Sequence, residues 1–226
     1  MRRTPVGLEL VALDVRLQDF LGATRLDAAR AFRVFRDVGP VHPAAELDFI
    51  LRGPGEGQIV RLGHPGLWSV SLEPKVTVLD PDGQLVAGER AARAPVDEYI
   101  DLFQRREDLN AIARFNSPRL DAWARGGRNL PFAHMPLARS SLHQGVWVYG
   151  HGSAVAALGP ALDNNYAGVV HEQGGAVLVG TGILQLTELV LQVEQAAHVE
   201  LLSDVWRREE REEQRAPEAR ALLSWA

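Results

Sequence analysis

Histidine can both bind a metal ion and transfer protons, and the chain contains no cysteine that could do the same. His143, His151 and His171 fall in one loop-rich region, whereas His42 and His64 lie in turns rich in proline and glycine. Outside that loop-rich region, no two of them have the spacing of metal ligands on a predicted strand or helix. We therefore expect His42 and His64 at the surface, and a metal site rebuilt from His143, His151 and His171 is one alternative.

Three further functions are disfavoured by the sequence: a phosphate-binding glycine loop, nucleic-acid binding and a membrane span. The glycine-rich segment GPGEG at residues 53–57 is followed by neither a lysine nor a predicted helix, unlike a phosphate-binding loop. The net charge is -5, which argues against nucleic acid as a partner because binding phosphates requires clustered cations. No apolar run approaches the ~20 residues of a membrane span. We expect a cytoplasmic protein with a small-molecule substrate and without a membrane partner.

The elements that must position reactive side chains follow from apolar periodicity and from turn signals. In the first half of the chain we predict helices at residues 25–38 and 95–105. Glycine and proline turns separate short apolar segments between them, which predicts strands at residues 47–51, 58–62, 67–70, 76–79 and 84–87. The sequence DPDG at residues 80–83 predicts a tight turn between the last two strands.

The second half ends in residues 169–200, the stretch on which the fold prediction depends most. Apolar residues 176–179 lie between glycines and predict a buried strand, and apolar spacings of three and four predict a helix over residues 183–208. Before this stretch we predict a strand at residues 109–115, a helix at 118–125 and weaker strands at 130–135, 145–149 and 155–158. Helices and antiparallel strands mixed in this way predict an α/β sandwich.

Three segments of the chain resemble the class II aldolase and adducin family: VTVLDPDGQLVAG at 76–88, REDLNAI at 106–112, and LDNN at 162–165 with the closing stretch. The resemblance spans residues 28–208. It implies a single α/β domain over residues 1–226, an α/β/α sandwich with a central, mainly antiparallel sheet. Residues 1–20 would be an N-terminal extension and 209–226 a charged tail. It also implies a homo-oligomer, because family members commonly form cyclic tetramers.

The resemblance further assigns positions to a metal site. Family members hold a divalent metal with a His-x-His pair and a third histidine, and the corresponding positions here are Arg114, Asn116 and Gln173. Arginine stays protonated and has no lone pair for a metal, but its guanidinium binds carboxylates, phosphates and enolates through paired hydrogen bonds. We therefore predict no metal and no other cofactor, with Arg114 as a catalytic residue and Asn116 and Gln173 as substrate-binding residues.

Other candidate residues are placed around these three. The family's acid-base glutamate falls near Pro95, so Glu98 three residues later, with Tyr99 and His134, is predicted to transfer protons. Arg52 matches the arginine of the family's substrate-anchoring loop, and Asp48 in the same segment is a second binding candidate. In the alternative interpretation, Arg114 forms a structural ion pair with Glu98 or Asp48 and has no part in catalysis.

Three hypotheses about function follow. The first is a metal-independent class II aldolase-like enzyme, a lyase, isomerase or cyclase acting on a small carbonyl or carboxylate compound in bacterial specialised metabolism. The second is a pseudoenzyme that uses the fold as an oligomeric scaffold or binding module. The third is a metal-dependent aldolase with a rebuilt histidine site. An open, polar cavity at Arg114 would favour the first, whereas a cavity filled by Phe115, Phe132 or Met135 would favour the second.

Overall fold

The computed structural model describes residues 14–39, 47–66, 69–89, 97–132 and 143–223. Within these ranges the strands are β1 Asp48–Arg52, β2 Ile59–Gly63, β3 Lys75–Leu79, β4 Leu85–Gly88, β5 Ala111–Phe115, β6 Leu130–Pro131, β7 Gly145–Tyr149, β8 Gly168–His171 and β9 Ala176–Gly180. The helices are α1 Val15–Val38, α2 Asp97–Arg105, α3 Pro118–Ala124, α4 Ala154–Asp163 and α5 Ile183–Leu223. In the same ranges, no helix combines the length and apolar character needed to cross a membrane.

The described strands form one sheet in the order β4-β3-β2-β1-β5-β9-β8-β7-β6. Neighbouring strands are antiparallel except for β7 and β8, which are parallel. The sheet is therefore mainly antiparallel, as predicted. β5 lies between β1 and β9, which brings the first half of the chain against the closing stretch.

Each face of the sheet is covered by helices, so there are two hydrophobic cores. Alternate residues of a strand point to opposite faces. In β1, Phe49 and Leu51 pack in the core beneath α1, α3 and α5, whereas Ile50 packs in the core beneath α2 and α4. In β5, Ala113 packs in the core beneath α1, α3 and α5, and Ile112 packs in the core beneath α2 and α4. The predicted α/β/α sandwich is confirmed.

Helix α1 begins ten residues before the predicted start at residue 25. The Asp14 side chain accepts a hydrogen bond from the Arg16 backbone N–H at 3.2 Å and caps the helix at Val15. Thr24, just before the predicted start, lies inside the helix and donates its hydroxyl to the Phe20 carbonyl at 2.7 Å. Residues 15–20, which we had assigned to an extension, therefore form the first turns of α1, with Leu17 in the core.

The strand predicted at residues 155–158 is wrong, because this segment lies inside helix α4. Ser153 caps the helix, accepting a hydrogen bond from the Ala156 N–H at 3.2 Å. Leu158 and Ala161 are three residues apart and both face the sheet, which is helical spacing. A short run of small and apolar residues fits the periodicity of a strand and that of a helix equally well. Ser153 before this run is the sequence signal that indicates a helix start.

Three other boundaries differ from the prediction. Of the strand predicted at 67–70, Ser69 and Val70 are described and are not in a strand; the Ser69 N–H donates to the Gly66 carbonyl at 3.2 Å in a turn. Strand β6 ends at Pro131 instead of residue 135, and residues 133–135 lie outside the described ranges. Helix α5 continues past residue 208 to Leu223, through most of the predicted charged tail.

Candidate active site

A cavity of about 280 Å³ lies between α2, the carboxyl ends of β5, β7 and β8, and the turn between β8 and β9. Strand β5 contributes Arg114, which lies on the same face as Ile112 because they are two residues apart. The parallel strands β7 and β8 end side by side, so their last residues meet at one sheet edge. The polar side chains that line the cavity are Glu98, Tyr99, Arg114, Asn116, Tyr149 and His171.

Arg114 is held in place by a buried carboxylate. Asp48 is opposite Arg114 in the β1–β5 ladder, and its Oδ2 lies 3.7 Å from Nη1 of Arg114. Its other oxygen, Oδ1, accepts a hydrogen bond from Nη2 of Arg61 at 2.5 Å. The Asp48 side chain is 2% exposed and that of Arg114 is 16% exposed. Two guanidinium groups thus share the Asp48 carboxylate.

Two tyrosines extend the wall beside Arg114. The Arg114 guanidinium carbon lies 5.8 Å from the centre of the Tyr99 ring, a cation–π contact. Burial raises the pKa of Tyr99 to about 12, although the charge of Arg114 opposes that shift. Burial likewise raises the pKa of Tyr149, again against the effect of Arg114. Both phenols therefore keep their protons at neutral pH and can donate hydrogen bonds.

The turn between β8 and β9 closes one side of the cavity. Gly174 and Gly175 have φ angles of 102° and 91°, a conformation that favours glycine. The Gly174 N–H donates to the His171 carbonyl at 2.8 Å, and the Gly175 N–H donates to Oδ1 of Asp121 at 3.2 Å. A Cβ atom on Gly174 would lie 3.0 Å from the Asp121 carboxyl carbon. The turn therefore packs tightly against α3, which carries Asp121.

The structure brings some of the predicted site residues together and separates others. Glu98, Tyr99, Arg114 and Asn116 line the cavity, and Asp48 lies beneath Arg114. Gln173 has an exposed side chain on the turn and does not line the cavity. His134 lies outside the described residues.

Arg52 lies away from this cavity, at the other end of β1. Its guanidinium donates to the carbonyl oxygens of Phe103 and Arg106, each at 2.8 Å, and of Leu109 at 3.0 Å. It thereby fastens the end of α2 to the sheet and borders a separate hollow of about 330 Å³. Its position gives Arg52 a structural role at the end of α2.

Sequence reasoning did not select Tyr149 and His171 as catalytic or substrate-binding residues. Tyr149 is the last residue of the strand predicted at 145–149, whereas His171 lies in the polar segment near the start of the closing stretch, where we predict no strand end. Their rings meet edge to face with centres 5.0 Å apart. What could not be read from the sequence was the parallel pairing of β7 with β8, which places the two residues opposite each other.

The residues that the resemblance assigns to metal-ligand positions do not fit a divalent ion. Arg114 has no lone pair to donate, and its positive charge would repel a cation. Asn116 lines the cavity with it, whereas the Gln173 side chain is exposed to solvent. In the part of the chain that the structure describes, no group of three His, Asp or Glu side chains is arranged to hold a metal.

Comparison with known proteins supports the aldolase fold. No family model matches the chain. 5-Deoxy-D-ribulose 1-phosphate aldolase of Bacillus thuringiensis serovar kurstaki is 31% identical over 77 residues, which is 34% of this chain and only 36% of that enzyme's length. L-Fuculose 1-phosphate aldolase from Glaciozyma antarctica PI12 has a similar structure, with a TM-score of 0.67 and 17% identity over 85% of this chain and 78% of that chain.

Two further solved structures agree. L-Fuculose 1-phosphate aldolase from Thermus thermophilus has a TM-score of 0.63 and 13% identity, covering 81% of this chain and 96% of that chain. YgbL from Klebsiella pneumoniae, whose description is aldolase/epimerase/decarboxylase, has a TM-score of 0.60 and 17% identity, covering 79% of this chain and 88% of that chain. The chain therefore has the fold of the class II aldolase superfamily.

Proposed function

We propose that this protein is a metal-independent, class II aldolase-like enzyme that acts on a small anionic carbonyl or carboxylate compound. The observation that supports this most is the open, polar cavity around Arg114. The Phe115 and Phe132 side chains, which could have filled it, pack in the core on the opposite face of the sheet, and Met135 lies outside the described residues. The aldolases named above act on phosphorylated sugars, so a sugar phosphate or a related acid is the substrate class to examine first.

In this proposal Arg114 binds the anionic oxygen of the substrate. Its guanidinium can form two parallel hydrogen bonds to a carboxylate, phosphate or enolate, and the half-buried setting strengthens them. Asn116 and Tyr99 supply further donors next to it. The ion pair with Asp48 fixes the orientation of the Arg114 guanidinium, which reduces the conformational entropy that is lost when the ligand binds.

Glu98, exposed at the mouth of the cavity, is the proposed base. In an aldol cleavage a base takes the proton of the hydroxyl group, the carbon–carbon bond breaks, and the electron pair moves onto the carbonyl oxygen of the departing enolate. A proton then returns to the enolate carbon. Stabilising the negative oxygen is the part of this reaction that Arg114 can perform, and isomerase and cyclase reactions through an enolate require the same group.

Ligand-induced changes in melting temperature test the proposal. Glycolate, 2-phosphoglycolate and a panel of sugar phosphates should include at least one compound that raises the melting temperature, because a ligand that binds only the folded state stabilises it. Arg114→Ala should abolish that rise, and Arg114→Lys should keep a part of it. The matched control is Arg33→Ala, an exposed arginine on α1. A rise that survives in Arg114→Ala would refute the assignment.

Elemental analysis of the purified protein tests metal independence separately. We expect no divalent ion in a stoichiometric amount, and no loss of the ligand-induced rise after treatment with a chelator. A stoichiometric metal whose removal abolishes ligand binding would favour the third hypothesis, a rebuilt histidine site, in which His143, His151 and His171 would be the first residues to examine.

The second candidate function is an oligomeric scaffold. Helix α5 exposes three large apolar side chains near its middle, with 47% exposure at Leu202, 50% at Val205 and 69% at Trp206. Such a strip favours contact with another protein surface. A homotetramer, a cytoplasmic location and a role in bacterial specialised metabolism complete the proposal, and the tetramer is compatible with both candidate functions.

A further inference from the structure

We infer that His171 is a catalytic residue of this cavity, which donates a hydrogen bond from Nε2 to the oxygen that becomes negative during the reaction. The inference rests on the proposed function and adds a second donor to Arg114. It depends on the position of the ring, on its hydrogen bond to the turn and on the rigidity of its backbone.

The ring is placed at the cavity wall by strand pairing. His171 is the last residue of β8 and lies opposite Tyr149, the last residue of β7, in the only parallel pair among the described strands. The two rings meet at an interplanar angle of 79°. Tyr149 therefore packs against His171 and limits its rotation, while both residues line the same cavity as Arg114.

A backbone hydrogen bond determines which ring nitrogen carries the proton. The Gln173 N–H donates to Nδ1 of His171 at 3.0 Å. A backbone N–H can only donate, so Nδ1 must accept with its lone pair, and the neutral ring carries its proton on Nε2. Nδ1 is occupied by the turn, so Nε2–H is the group left to meet a ligand.

The backbone of His171 is also held at both of its polar groups. Its N–H donates to the Gly175 carbonyl at 3.0 Å, and its carbonyl accepts from Gly174 at 2.8 Å. Asp121 of α3 in turn accepts from the Gly175 N–H at 3.2 Å. A donor whose backbone and tautomer are fixed before the ligand arrives needs little reorganisation during the reaction, which is what stabilising a developing oxyanion requires.

Arg114 and His171 would then act on one oxygen with different chemistry. The guanidinium supplies full positive charge, whereas the imidazole supplies a directed N–H donor. Tyr149 contributes as a positioning residue through its ring contact. The recognised group is an oxyanion on a small ligand, such as an enolate, a carboxylate or a phosphate.

Binding of 2-phosphoglycolate and glycolate to three variants tests the inference. His171→Phe keeps the ring volume but removes the donor, so the dissociation constant should rise about tenfold to a hundredfold. His171→Gln can place an amide N–H near the position of Nε2 and should recover part of that loss. His198→Phe, on α5 across the sheet, is the matched control and should bind as the wild type does.

Nitrogen NMR of His171 distinguishes a catalytic role from a structural one, because a residue with only a structural role would not change its Nε2 signal when a ligand binds. Long-range nitrogen NMR of histidine-labelled protein should report the Nε2–H form for His171, with a shift at Nε2 when 2-phosphoglycolate binds. A proton on Nδ1, or unchanged affinity in His171→Phe, overturns the inference. If Arg114→Ala still loses binding in that case, the inference about His171 fails and the proposed function is retained. If the wild type binds neither probe, the inference is refuted, and the proposed function is refuted with it if no sugar phosphate of the panel binds either.

Discussion

Arg114 and a metal ion would hold an anion through different physics. A metal accepts lone pairs and fixes a coordination number, whereas a guanidinium donates hydrogen bonds in one plane and spreads its charge over three nitrogens. The arginine therefore needs a support that sets its plane. Asp48 provides it from the neighbouring strand, and the Tyr99 ring lies beside the guanidinium.

The Asp48 carboxylate should therefore contribute strongly to stability. In Asp48→Ala, the buried guanidinium of Arg61 loses its carboxylate partner, and we expect the free energy of unfolding to fall by about 3–5 kcal/mol in chemical denaturation. The control is Glu73→Ala, which removes the partner of Arg25 in a pair whose glutamate is 64% exposed. That change should cost at most ~1 kcal/mol. Equal losses in the two variants would contradict the structural role of Asp48.

At the scale of elements, α5 and α3 are joined by a buried glutamate. Glu194 of α5 accepts a hydrogen bond from the Ser117 hydroxyl, and Oε1 of Glu194 lies 3.7 Å from Nη1 of Arg119. Ser117 also caps α3 by accepting from the Leu120 N–H at 3.2 Å. Since α3 carries Asp121, which holds the turn beside the cavity, this junction connects the long helix to the site.

The same junction should make stability depend on pH. Burial raises the pKa of Glu194 from 4.5 to about 7. The folded state then binds the proton more tightly than the unfolded state, so this stabilisation is complete below pH 4.5 and is lost as the pH rises through about 7.

Denaturation at several pH values checks this expectation. The free energy of unfolding should fall by up to ~3 kcal/mol from Glu194 alone across that window. Glu194→Gln keeps an acceptor for Ser117 but cannot ionise, so its pH dependence should be smaller by that amount. Glu188→Gln, an exposed glutamate on the same helix, should leave the pH dependence unchanged. Identical pH profiles for Glu194→Gln and the wild type would show that Glu194 does not carry this effect.

In the molecule as a whole, α5 is a helix that leaves large apolar side chains exposed to solvent. Its amino-terminal half buries Leu186, Val190 and Val193 against the sheet, whereas Leu202, Val205 and Trp206 are exposed farther along. Exposed apolar side chains on one stretch of helix lose contact with water when two copies associate. We therefore propose the strip formed by Leu202, Val205 and Trp206 as a subunit interface of the tetramer.

Light scattering of the purified protein tests this surface. We expect the wild type to be an oligomer, and the double substitution Leu202→Gln with Trp206→Gln to shift it towards the monomer. Leu184→Gln at the amino-terminal end of the helix, where the leucine is 51% exposed, should leave the assembly unchanged. A double variant that keeps the wild-type mass would exclude this strip as the interface.

Much of the architecture was predictable because its signals are local. At residues 80–83 the turn forms as expected, with Oδ1 of Asp80 accepting from the N–H groups of Asp82 at 3.0 Å and Gln84 at 2.8 Å. Strand β9 and the long helix after it follow from apolar spacing that one segment contains by itself. The order of such segments also led to the aldolase fold, although no single motif identifies it.

The type of fold and the arginine at a position where the resemblance implies a metal ligand both follow from the sequence. What surrounds that arginine follows only from the tertiary structure. Asp48 reaches it across a ladder, Arg52 turns to the end of α2, and Tyr149 meets His171 because β7 and β8 run parallel. These contacts join residues far apart in the chain, and pairing between distant strands depends on how the whole sheet is packed.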